Sequence, residues 1–169
     1  MITNVEQYAS NMINNLQHFA SILQILSIAG GLALFVGALF EFKRYGEMRT
    51  FMSHQMTIAR PLCMMLGGVM LLIMPLIITT GMLAFWGYVN PMQYSATSSD
   101  GWAPLMPVII MFVKVVGVFA FIRGIFLISR CGQQGQPGQL SKALLHMFGG
   151  ILCINIVATE QLLHALLPI

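Results

Sequence analysis

Four apolar blocks, approximately Phe19–Phe40, Pro61–Trp86, Leu105–Ile128 and Ala143–Leu167, constrain what this 169-residue chain can become. Each supplies the roughly 20 residues needed to cross about 30 Å of hydrocarbon at about 1.5 Å per residue. With 57% hydrophobic and only 8% charged residues, the chain lacks the polar shell that a soluble fold of this size would need. The blocks predict an all-α membrane protein with four transmembrane helices. Pro75, inside the second block, removes a backbone donor and is expected to kink that helix, not to break it.

The connecting segments set the orientation. Segment 41–60 carries Lys43, Arg44, Arg49 and Arg60, and segment 129–142 carries Arg130 and Lys142, whereas 88–104 carries no Lys or Arg. Short basic loops stay on the cytoplasmic side, so both termini are expected outside, in the periplasm of a bacterial inner membrane. Trp86, Tyr88, Tyr94 and Trp102 flank the outer loop, where aromatic rings suit the headgroup boundary. The first block has no Lys or Arg before it and is long enough to span, so no cleavable signal peptide is expected.

Residues 1–18 read as a separate amphipathic helix lying along the outer surface. Ile2, Val5, Ala9, Met12, Leu16 and Phe19 step by three and four, and Thr3 with Glu6 has the spacing of a capping box. The segment lacks the basic residues that anionic lipid favours, so partner subunits or the protein's own helices are as suitable a surface as lipid.

The chain also resembles itself. Gly31 to Phe40 followed by Arg44-Tyr-Gly46 aligns with Gly117 to Phe126 followed by Arg130-Cys-Gly132, and Arg60 to Gly67-Gly68 aligns with Lys142 to Gly149-Gly150. This implies two parallel copies of a helical hairpin: 19–88 with its basic loop 41–60, then the outer loop 89–104, then 105–169 with its loop 129–142. Small residues recur within the copies: Ala29, Ala33 and Gly37 on the first helix, Ala120 and Gly124 on the third, Gly67, Gly68, Gly149 and Gly150 on the return helices. Such positions let backbones approach in lipid, where packing drives association.

Lys114 and Glu160 stand inside apolar blocks. Counted along antiparallel straight helices they fall at similar depths, roughly 13 Å and 10 Å from the outer ends, and an intramembrane ion pair is the expected arrangement. A transport role for Glu160 and a pore-facing or partner-facing Lys114 are the competing readings. Arg123 is expected to snorkel toward the cytoplasmic end, with Asn155 as a candidate neighbour.

Other chemistries find little support. A net charge of +3 is spread over short loops, so direct nucleic-acid binding is not expected. Cys63, Cys131 and Cys153 have no paired spacing, and His18, His54, His146 and His164 are dispersed, which argues against a metal site or any cofactor. No nucleophile–base set, phosphate cradle or carboxylate cluster is evident, so no catalytic residues are assigned and no enzyme is expected.

Gly37, the run Phe42-Lys-Arg-Tyr-Gly-Glu-Met-Arg-Thr-Phe-Met-Ser53, Pro61-Leu, Gly67-Gly and Pro75-Leu resemble the small polytopic proteins of type IVB secretion systems, the IcmC/DotE group, with DotV, single-hairpin IcmD and conjugative TraQ as relatives. The likeness is strongest over residues 30–90 and weaker in the second hairpin, whose loop reads Gly132-Gln-Gln-Gly-Gln-Pro-Gly138. It implies a non-enzymatic inner-membrane subunit of a Dot/Icm-like apparatus, a homo- or hetero-oligomer contacting lipid and other secretion subunits. An independent small transporter or ion channel is the alternative. The topology is directly testable: cysteines replacing Ser10 and Ser98 react with a membrane-impermeant thiol reagent applied to the outside of the membrane, and one replacing Gln134 does not; labelling at Gln134 would invert the assignment.

Overall fold

A computed structural model of the chain describes residues 2–50, 58–88, 105–131 and 138–167. Tyr94, Trp102, most of the expected loops, and the side chains of Thr3 and Arg49 lie outside the described residues. Among the described residues there are six helices and no strand: α1 (Ile2–Thr50), α2 (Ala59–Leu72), α3 (Met74–Trp86), α4 (Met106–Ser129), α5 (Gln139–Ile154) and α6 (Ile156–Leu166). Two helices are individually long and apolar enough to cross a membrane, and up to four spans result if α2–α3 and α5–α6 each count as one.

The expected division of the N-terminus at residue 18 is absent. α1 is one continuous helix of 49 residues, about 74 Å at about 1.5 Å per residue, more than twice the hydrocarbon thickness. No Gly or Pro occurs before Gly30, and Leu16, Ala20, Leu23, Ser27, Gly30 and Leu34 alternate steps of four and three along the packed side. That is the spacing of a coiled-coil seam, and it carries the helix straight past the expected bend. Met12 and Leu16 share a groove with Val108 and Phe112, so these turns run beside the N-terminal end of α4.

α4 is the central element, packing on α5, α1, α2 and α6. Phe121 and Ile125 of α4 are fully buried, as is Leu71 of α2. The opposite faces remain apolar, with Phe112, Val116 and Phe119 on α4 and Ile25, Leu32 and Phe40 on α1 all exposed. A helix that is apolar all round needs protein on one side and lipid on the other, and this is the surface of a membrane protein.

Within each hairpin the helices meet at a pair of glycines. A Cβ built on Gly31 would lie 3.0 Å from the Gly68 carbonyl oxygen, and one on Gly68 would lie 3.0 Å from that of Gly31. The second hairpin repeats the contact, with 2.8 Å from Gly117 to the Gly150 carbonyl and 2.7 Å in the reverse direction. Gly124 presses against the Ala143 carbonyl at 2.9 Å, and Gly37 meets only the flexible end of Met64. The expected ridge of Ala29 and Ala33 instead faces outward; the packed side is offset by a residue, at Gly30, Gly31 and the fully buried Ala38. Ala120 is half-buried.

Both return helices break. The chain turns by 81° between α2 and α3 and by 98° between α5 and α6. The breaks, at Ile73 and Asn155, each fall five residues after the second glycine of the pair, Gly68 or Gly150. Pro75 opens α3 in the first case; in the second, Asn155 leaves helical geometry at φ −115° and ψ 53°. The expected kink and the expected straight last helix are both corrected, because a helix-ending residue stands at each bend, Asn155 at the break itself and Pro75 two residues beyond Ile73. α2 and α5 are thereby about 21 Å and 24 Å long, short of the roughly 30 Å core. α3 then crosses α5, with Gly81 on Ile151 and Phe85 edge-on to Phe148 at 6.0 Å.

Leu placed at Gly150 must displace backbone atoms, and the strain is expected to cost about 1–3 kcal/mol. Gly149→Ala meets nothing within 4 Å and is expected to leave stability unchanged or slightly raised. Thermal unfolding of the two detergent-solubilised variants checks the contrast.

Candidate functional site

The most polar interior feature is the second break. Asn155 is fully buried, and its Nδ2 donates to Tyr88 Oη at 3.4 Å, joining the end of the first hairpin to the middle of the second. A helix that stops inside an apolar layer frees carbonyls, each of which must find a donor. Thr159 answers this: its hydroxyl sits 2.9 Å from the carbonyl oxygens of both Leu152 and Asn155, and its backbone N–H donates to the Asn155 carbonyl at 2.9 Å. Among the described residues the buried Trp86 Nε1, close to Tyr88 in sequence, has no hydrogen-bond partner. In the first unit Thr79 and Thr80 both donate to the Leu76 carbonyl, at 2.9 Å and 2.8 Å.

The bend at Asn155 separates the two charges that the sequence brings to one depth. The ion pairs among the described residues are Lys43–Glu47 at 3.8 Å and Arg60–Glu41 at 3.0 Å; Lys114 and Glu160 form none. Lys114 is half-buried on α4, whereas Glu160 is exposed on α6, which has turned away from the hairpin axis. Glu160 and His164 share a shallow groove with Ile156, Leu163 and Leu167. Arg123 is exposed and stands beside Gly124, whose contacts are Ala143 and Met147, so Asn155 is not its neighbour.

The basic residues gather at one end. Lys43, Arg44, Arg130 and Lys142 are exposed there, and Arg60 reaches from the start of α2 to Glu41 of α1. This half-exposed bridge is worth about 0.2–1 kcal/mol and ties the two ends of the first basic loop. At the same end Gly67 packs on Ser129, with 2.7 Å from a Cβ on Gly67 to Ser129 Cβ. Gly67 therefore joins the two hairpins to each other. Beyond it, burial and the nearby Cys63 thiol push the Cys131 thiol above its ordinary range, so it is mostly protonated at neutral pH. No cluster of three potential metal ligands occurs among the described residues.

Sequence reasoning missed Asn155 and Thr159 as a unit. The available signal was a lone Asn in the last apolar block, five residues after Gly150, at the position held in the first copy by Ile73, two residues before Pro75.

With no contact between Lys114 and Glu160, Lys114→Met and Glu160→Gln are expected to act independently. Their stability effects in a double-mutant cycle add to within about 0.3–0.5 kcal/mol, and a larger rescue in the double variant would restore the ion pair. The chain matches no protein-family model, no curated protein and no solved structure at a significant level.

Proposed function

We propose that this chain is a non-enzymatic structural subunit of a type IVB, Dot/Icm-like secretion apparatus in a bacterial inner membrane. In this reading it crosses four times as two parallel hairpins, keeps both termini in the periplasm, and builds or supports the translocation channel by oligomerising through glycine-bearing faces. Lipid and other secretion subunits are its partners. The resemblance of the Phe42–Ser53 segment and its flanking glycines and prolines supports the family. The observation that carries the structural role is the glycine crossing made twice, at Gly31–Gly68 and Gly117–Gly150, while Gly149 of the same return helix stays open. The chain devotes its closest contacts to helix packing and keeps a further glycine for something outside itself.

A second reading, an autonomous transporter or channel, is favoured by the two broken helices with a buried Asn155 at one of them. Discontinuous helices supply carbonyls and helix ends for ion coordination in many transporters. Gentle extraction separates the two readings. A large co-purifying assembly, with no ion or solute flux from the isolated protein in liposomes, is expected for a secretion subunit; autonomous flux without stable partners would overturn it.

A further inference from the structure

The first hairpin meets cations at its basic end with its own acids, and the second does not. Arg60 lies 3.0 Å from Glu41, and Lys43 lies 3.8 Å from Glu47. In the alignment that matches Gly31 with Gly117 and Arg60 with Lys142, Arg130 and Lys142 are the counterparts of Arg44 and Arg60. Leu127, however, stands where the first copy has Glu41, and Arg123 where it has Gly37. The second copy thus keeps two of the cations, adds one deeper in its helix, and has no acid, since none occurs between Asp100 and Glu160. Arg123, Arg130 and Lys142 join no ion pair among the described residues.

Two of these cations stand at one level. A Cβ on Gly124 would lie 2.9 Å from the Ala143 carbonyl oxygen, and in antiparallel helices the residues just before such a contact, here Arg123 and Lys142, lean to the same flank. Both are exposed. Arg130 shares the Arg123 face of α4, seven residues or about 10 Å nearer the basic end. α5 begins beside them at Gln139 without a side-chain cap and without an acid in its first turn, so its leading N–H groups add partial positive charge. In the other direction the surface is apolar. Phe119 and Val116, one and two turns deeper on α4, and Leu145, one turn deeper on α5, are all exposed.

We infer that this flank of the second hairpin binds an anionic phospholipid: the phosphate sits between Arg123 and Lys142, Arg130 stands nearer the basic end, and an acyl chain runs over Phe119, Val116 and Leu145. The inference rests on the membrane placement proposed above, with the basic end in a headgroup layer, and not on the secretion role. Arg123 lies six residues, about 9 Å, inside the end of α4 at Ser129, where a cation without a counter-ion is costly. A guanidinium takes a phosphate through two parallel N–H donors, and basic recesses between spanning helices hold headgroups in this way. Free phosphate or an acidic polypeptide would supply the charge. Only a lipid supplies an anion joined to an apolar chain, which matches cations at one end of the flank and exposed Phe119 and Val116 at the other.

The test uses the full chain, purified in a non-ionic detergent, with phosphatidylglycerol or phosphatidylcholine added; bound lipid is read by native mass spectrometry and stability by thermal unfolding. Phosphatidylglycerol is expected to stay bound and raise the unfolding temperature, and phosphatidylcholine to do neither. Arg123→Gln with Lys142→Gln is expected to weaken phosphatidylglycerol binding roughly 30-fold, about fivefold for each charge. Lys43→Gln with Arg44→Gln removes equal charge from the first hairpin and is expected to leave binding unchanged, and the exchange Arg123→Lys with Lys142→Arg to retain it. Equal binding by the parent and the Arg123 and Lys142 glutamine pair, or an equal loss in the Lys43 and Arg44 pair, would overturn the inference. So would protection by inorganic phosphate or polyglutamate that matches phosphatidylglycerol, since the site would then take a free anion or an acidic protein. If the chain inserts into liposomes without preferring phosphatidylglycerol, the inference alone falls; if it inserts into liposomes of neither lipid, the membrane placement falls with it.

Discussion

Close backbone approach at paired glycines is the contact on which the rest of this molecule depends. In hydrocarbon, a leucine gains little by moving from lipid to protein, so the energy that holds helices together comes from the number of atoms they bring into contact. Gly31 with Gly68 and Gly117 with Gly150 remove the side chains that would hold the helices apart, and each carbonyl then lies against the partner's Cα. Neighbouring residues close around these points: Leu71 beside the first, Phe121 beside the second, both fully buried. Gly67 on Ser129 applies the same device once more, between hairpins.

A second constraint, that no backbone polar group can be left unmet in an apolar layer, governs the breaks. The chain ends its return helices early, by Pro75 in one unit and by Asn155 in the other, and in the second unit the Thr159 hydroxyl meets the freed Leu152 carbonyl. The breaks decide where function-bearing side chains go. α3 is laid across α5, bringing Tyr88 to Asn155, and α6 is swung away with Glu160 and His164. The end of the molecule away from the basic residues is therefore built of half-helices set at steep angles to α2 and α5, while its basic end is built of helices that stay paired up to the Arg60–Glu41 bridge.

The same two constraints make the hairpins alike inside and unlike in their surroundings. α4 has protein on most of its packed side, whereas α1 offers an equivalent stretch, through Leu32, Val36 and Phe40, to the outside. The difference follows from one hairpin docking on the flank of the other without a reciprocal contact.

Much of this was legible in the residues. Block length and charge scarcity were enough for an all-helical membrane protein, because the energy of burying a charge or an unpaired amide in lipid leaves few alternatives. The glycine pairs and the basic loops stood out in self-comparison, since both are rare residue types in an apolar context. Other features depended on three-dimensional packing. The continuity of α1 past residue 18 came from a seam that needs α4 beside it. The outward turn of Ala29 and Ala33 came from an offset of one residue, about 100° on a helix, which periodicity among so many apolar residues does not resolve. Whether Lys114 meets Glu160 turned on the 98° bend at Asn155, whose side chain donates to Tyr88 and whose carbonyl accepts from Thr159. The sequence by itself determined that the chain enters lipid, where it reverses and which residues permit close approach; the tertiary structure alone decided which faces those approaches use and which are left open, because that choice is a competition among many nearly equal apolar contacts.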